Sequence, residues 1–179
     1  MEASEPSVAF SWPRYSSKLL PTYRFLPGLT PHPRHNPLGH SFGQPEPLPR
    51  PCEHDQWSHS KDYLYAIDLY NFGYWWEAHE VLEGLWHACG RTTTAGNFFQ
   101  ALIQFAAAHL KRALGHEPAA HNLARYGLLR LKNCPTPYMG LDTETFAQDI
   151  TVWVGNKSRP NVRIRLGTYG NGQSVQGTL

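Results

Sequence analysis

The chain has 179 residues, enough for about one domain and too few for a large two-domain enzyme. Hydrophobic residues make up 41% and charged residues 17%, which excludes a polar disordered chain, and no apolar run reaches the roughly 18 residues a bilayer crossing needs. Sixteen Lys+Arg against 14 Asp+Glu leave a net charge of +2, too balanced to imply a polyanionic partner, so nucleic acid is disfavoured. The acidic start, Met1-Glu2-Ala3-Ser4-Glu5-Pro6, lacks an apolar secretory core, and Cys52, Cys89 and Cys134 show no CxxC spacing. Both features point to a reducing, cytoplasmic setting.

Eleven of the 15 prolines fall within the first 51 residues. Proline fixes φ, removes a donor and biases its predecessor away from helix, so residues 1–57 cannot form a regular helical or sheet unit. The leader nonetheless carries Tyr23, Phe25, Leu26 and Leu29, then His32, His35 and His40. Aromatics at that density predict an extended, ordered arm lying on the main domain, the alternative being a mobile tail.

From Ser58 to Pro118 there is no proline, and the pattern turns helical. Tyr63, Ile67 and Tyr70 recur at 3.6-type spacing and predict a helix from Ser60 to Tyr70, stopped by Asn71-Phe72-Gly73. A second helix is expected from Tyr74 to Ala88, ending near Gly90. The most apolar segment, Asn97 to Leu114, predicts a third, and Gly115 closes it. Pro118 opens a fourth helix to Lys132. Asp142 caps a fifth reaching Val154. Residues 58–155 therefore read as a compact all-α array of about five helices.

Beyond it, Val162, Ile164 and Leu166 alternate with Arg163 and Arg165 in a short strand-like pattern, and residues 167–179 are expected to fray. Residues 156–179 carry Lys157, Arg159, Arg163 and Arg165 with no acid. This is a solubilising basic tail or, in the sharper reading, a phosphate or nucleic-acid contact.

The second helix holds the candidate chemistry. With His79 at zero and about 100° per residue, Glu83 falls near 40°, Trp86 near −20° and Trp75 near −40°. Ala78, Val81, Leu85 and Ala88 gather on the other side. Glu80 falls in the sector of Trp76 and His87. A helix apolar on both sides is largely buried, so His79 and Glu83 should sit in a semi-enclosed place among indoles. There a lone carboxylate would need a partner or a proton.

Three readings follow. His79 and Glu83 can be two ligands of a divalent metal, with others drawn from Glu80, His109 or the leader histidines. HExxE lacks the second histidine of the HExxH zinc helix, however. His79 and Glu83 can instead do metal-free acid–base work on a small molecule, with Glu80 as proton shuttle and Trp75, Trp76 and Trp86 as pocket wall. Or the group is a satisfied network that fixes helix packing. Gln100 and Gln104, one turn apart on the third helix, need partners and could reach the second-helix carboxylates. His109, on the stripe of Phe98, Leu102 and Phe105, reads as a core histidine. Cys52-x-His54-x₄-His59 matches no common zinc motif, and no nucleophile elbow or phosphate-binding glycine loop is present.

The run Tyr70-Asn71-Phe72-Gly73-Tyr74-Trp75-Trp76-Glu77-Ala78-His79-Glu80-Val81-Leu82-Glu83 followed by Trp86 resembles the hallmark of a prokaryotic family known as domain of unknown function 309. So do Phe99 to Ala108 and Cys134 to Asp142. The likeness covers about residues 61–155. It implies a small all-α domain and no established activity, and it singles out His79, Glu80, Glu83 and Trp86, with Gln100 and Gln104 facing them. Two positions depart from the family pattern: Ala101 stands where a glycine is expected, and Ala119-Ala120 where a Gly-Ala pair is usual. The functional expectation is a polar pocket working on a small molecule, or else a protein-interaction module. A homo-oligomer is compatible with either.

Overall fold

The computed structural model describes residues 12–45 and 48–167. Among them are five helices: α1 (Lys61–Asn71), α2 (Trp75–Cys89), α3 (Thr94–Ala113), α4 (Glu117–Leu131) and α5 (Thr143–Gly155), preceded by a single 3₁₀ turn at Trp57–His59. The chain is all-α.

Local chemistry explains the helix boundaries. The Ser60 hydroxyl accepts from the Tyr63 amide at 3.3 Å, Thr93 from Gly96 at 2.9 Å, and Asp142 from Thr145 at 2.9 Å, each satisfying an amide that the first turn leaves without a partner. Thr93 thereby starts α3 three residues earlier than expected. Gly73 sits at φ 85°, a left-handed conformation that turns the chain sharply from α1 into α2.

The buried faces of α1, α2 and α3 form the centre of the core through Tyr63, Ile67, Leu82, Leu85, Phe98, Phe99, Leu102 and Phe105, with Ile150 and Trp153 of α5 closing one end. Ala101, where the family pattern suggested glycine, is fully buried and its methyl is accommodated.

The arm and the tail are fastened to this array by buried polar groups. Asp68 of α1, fully buried, accepts from the amides of Tyr15 and Ser16 at 2.8 and 2.9 Å and from the Ser16 hydroxyl at 2.7 Å, while Arg14 Nε lies 3.0 Å away. Further along, the arm lies across α2 at Gly84, where a Cβ would come within 2.7 Å of the Pro49 ring; only glycine admits that approach. The strand expected at 162–166 does not form. Instead Asn71 clasps Ile164 with both ends of its amide, donating to the carbonyl at 2.8 Å and accepting from the N–H at 2.7 Å. One isolated bridge joins Leu166 to Leu141. With its backbone bonds already taken by side chains and one loop, the segment has no neighbouring strand to pair with. Of the residues expected to fray, 168–179 lie outside the described ones.

Candidate functional site

Helix α2 faces three environments. Trp75, Leu82 and Leu85, spaced i, i+7 and i+10, meet the core together with Ala78. Glu77 and Gly84 lie beneath the arm. The remaining sector carries His79, Glu83 and His87. Two expectations change as a result. Trp75 is not a wall of the His79 site: as the first residue of the helix its ring leans back past the N-terminus and stacks on His109, centroids 5.6 Å apart at 26°. Nor is the His79–Glu83 pair deeply enclosed, for the side chains of His79, Glu80 and Glu83 are 33%, 36% and 43% exposed. The core face of α2 is centred on Ala78 and Leu82, about a quarter-turn from His79, so the acids keep much of their water.

The three groups do converge. One donor atom from each of His79, Glu80 and Glu83 can be chosen so that all lie within 4.8 Å of one another. His79 Nδ1 lies 3.5 Å from Glu80 and 3.9 Å from Glu83, beyond hydrogen-bonding range, and is shielded from solvent with no partner. Trp86 Nε1 and Gln104 Oε1 are likewise shielded and unbonded. Neither Gln100 nor Gln104 hydrogen-bonds a carboxylate of α2 among the described residues. Trp86 packs against His87, with Arg91 over its ring at 4.8 Å.

Glu80 reaches a second feature. With Trp76, Glu77 and Val81 it lines a cleft of about 310 Å³, whose other wall includes Lys18, Arg34, His40 and Gln44 from the arm. Trp76 is edge-on to Phe25 and His32, so it does wall this cleft. His32 stacks on His35, and His40 pairs with the buried Glu77 at 3.1 Å. Glu77 also accepts from the Phe25 amide at 2.8 Å, while its second oxygen, Oε2, has no partner. Sequence reasoning missed Glu77, although an acid at about 160° on a face described as aliphatic was itself a signal.

His109 is a core residue. Its Nδ1–H donates to Asn161 Oδ1 at 3.2 Å, and its Nε2 meets the Tyr70 hydroxyl at 2.8 Å. Burial pushes its pKa down to about 3, with Arg112 adding to the effect and the Asn161 hydrogen bond opposing it. Cys52, His54 and His59 do not assemble: Cys52 instead pairs with Cys89, its amide 3.3 Å from the Cys89 sulfur, and His54 stacks on Tyr138. Burial raises both thiols.

An all-α array with a His/Glu/Glu group on its second helix is thus the class of protein described. Residues 63–123, from α1 into α4, match the family described as Domain of unknown function (DUF309). The match contains His79, Glu80, Glu83, Gln100 and Gln104, and stops before the Cys134–Asp142 segment. Among solved structures, the chain is similar to a conserved hypothetical protein from Thermus thermophilus, at 32% identity over 53% of this chain and 97% of that one, with a TM-score of 0.46. No curated protein matches it significantly. No helix among the described residues is long and apolar enough to cross a membrane.

Proposed function

We propose that His79, Glu80 and Glu83 take a divalent cation and use it in metal-assisted chemistry on a small molecule held in the cleft between α2 and the arm. The observation that carries this reading is the convergence of one imidazole and two carboxylates within 4.8 Å, with a His79 nitrogen hidden from water and lacking a partner. A mixed nitrogen and oxygen donor set suits manganese, iron or zinc. Three protein ligands leave coordination positions for water and substrate, as catalytic metal sites require. In this reading His79, Glu80 and Glu83 would all be ligands, and Glu80, which also lines the cleft, would turn the ion toward the substrate. The arm supplies His40 and Arg34 to the opposite wall. Three free cysteines support a reducing, cytoplasmic setting.

A second reading has its own support. Leu19, Leu29, Leu38 and Leu48, all in the arm, are strongly exposed, as an interaction module would have them. Elemental analysis of untagged protein, followed by titration with manganese and zinc, separates the two. We expect one ion per chain and at least a tenfold weaker affinity in His79→Ala, the loss that comes with a missing ligand. Absence of metal together with no uptake, or uptake indifferent to His79→Ala, would overturn the metal site and leave the interaction module.

A further inference from the structure

A second cleft lies away from the His79 group, and none of His79, Glu80 or Glu83 lines it. It is an open cleft of about 790 Å³, floored by the turn between α1 and α2 and walled by the first described residues of the arm and by the segment after α5. That volume falls within the usual range for small-molecule sites. Its charges are lopsided: the guanidiniums of Arg24, Arg159 and Arg163 face one carboxylate, Asp149.

Among the described residues, two of those guanidiniums, Arg24 and Arg163, lack a carboxylate partner. Arg24 makes no side-chain hydrogen bond or ion pair among the described residues, and its Nη1 hangs over Gly73, where even a Cβ would sit 3.2 Å away. Arg163 is likewise free of acids and lies 5.3 Å from the Trp12 ring centroid. Arg159 reaches Asp149 only at 4.0 Å, with both side chains about half exposed. Trp12, in the same wall, has its indole N–H shielded from solvent and unbonded. The N-terminus of α2 opens on the cleft through Gly73 and Trp75, and no side chain caps it. Uncapped amides and the positive end of the helix dipole favour an anion there. Arginine forks match phosphate oxygens in pairs, and Trp12 and Phe72 in the lining add apolar surface.

We infer that this cleft binds a small phosphate-bearing molecule of nucleotide size, its phosphates held by Arg24, Arg163 and the α2 N-terminus. The basic segment after α5 thereby gains a local role, since Asn71 pins Ile164 next to Arg163, and Arg159 and Arg163 line the same cleft as Arg24.

Calorimetric titration of the full chain with ATP, inorganic pyrophosphate and adenosine tests this. Binding of ATP at one per chain is expected, with weaker binding of pyrophosphate and none of adenosine. Arg24→Gln and Arg163→Gln should each weaken ATP about tenfold, the loss of one charge-assisted pair. Arg125→Gln, on the far helix α4, should leave the affinity unchanged. Arg24 makes no side-chain bond among the described residues, so its variant should keep the wild-type far-ultraviolet dichroism and report on binding alone. No heat with ATP or pyrophosphate would overturn the assignment. So would equal losses in Arg24→Gln and Arg125→Gln, which would mark diffuse charge attraction. Tighter binding of a short single-stranded oligonucleotide than of ATP would replace the small molecule with nucleic acid.

Discussion

His109 shows how one buried side chain can set the pH range of a fold. Its ring is enclosed by Tyr70, Trp75 and Trp153, with neutral partners on both nitrogens, so the folded protein cannot readily accept a proton there. With a folded pKa near 3 against about 6.5 in the unfolded chain, the unfolded state binds one more proton through that window. Stability is therefore intact above about pH 6.5 and falls by roughly 1.4 kcal/mol per pH unit below it, until the folded pKa is reached. Between pH 6.5 and 5 the wild type should lose about 2 kcal/mol from this source. His109→Gln keeps a polar side chain but cannot titrate, so it should start less stable and show a shallower pH dependence. Urea midpoints at four pH values measure it; parallel curves for both proteins would show that His109 is not the group responsible.

Helix α2 carries acids in two unlike environments, and their mutation should cost very different amounts of stability. Glu77 is buried, paired with His40 and bonded to the Phe25 amide. Glu77→Ala strands both partners and should cost about 3–5 kcal/mol, the usual loss when one member of a buried pair is removed. Glu83 is nearly half in water, 3.9 Å from each of His79 and His87, so its pairs contribute little. Glu83→Gln should change stability by less than about 0.5 kcal/mol while weakening manganese uptake about tenfold. Denaturant melts paired with metal titration check this, and a large stability loss in Glu83→Gln would make the group a packing network instead. The contrast also explains which parts of the helix were legible. Its limits follow from Gly73 and Gly90, and the nearness of His79 to Glu83 follows from i, i+4 spacing. Which sector faces water does not, because the arm covers a third face and a helical wheel drawn for two cannot anticipate it. The rotation that carried Trp75 into the core is the same error seen from the other side.

Across the whole molecule, fastening is done by side chains that reach far along the chain. Asp68 bonds residues 52 and 53 positions earlier, and Asn71 holds a residue 93 positions later. The five helices could be read locally, from proline-free periodicity and capping residues. These attachments could not, since Asp68 and Asn71 sit within an ordinary helical pattern and nothing nearby marks their partners. Asp68 is the sharpest point of attack, because one carboxylate satisfies two amides and a hydroxyl and faces Arg14. Asp68→Asn replaces a charged acceptor with an amide whose NH₂ would meet donors, leaving at least one of them unpaired. The cost should be about 3 kcal/mol, borne by the arm while the helices persist. Trypsin offers a direct reading, since Lys18 and Arg24 lie just beyond the fastening. In the variant, cleavage after these residues should accelerate at least tenfold under native conditions, with helical dichroism retained. Detachment should also open the cleft lined by Glu80, because His40 and Arg34 leave with the arm. Unchanged cleavage would show that the Glu77–His40 pair and the Pro49 contact suffice to hold it. Loss of dichroism along with cleavage would show arm and helices folding as one unit, with Asp68 at its centre.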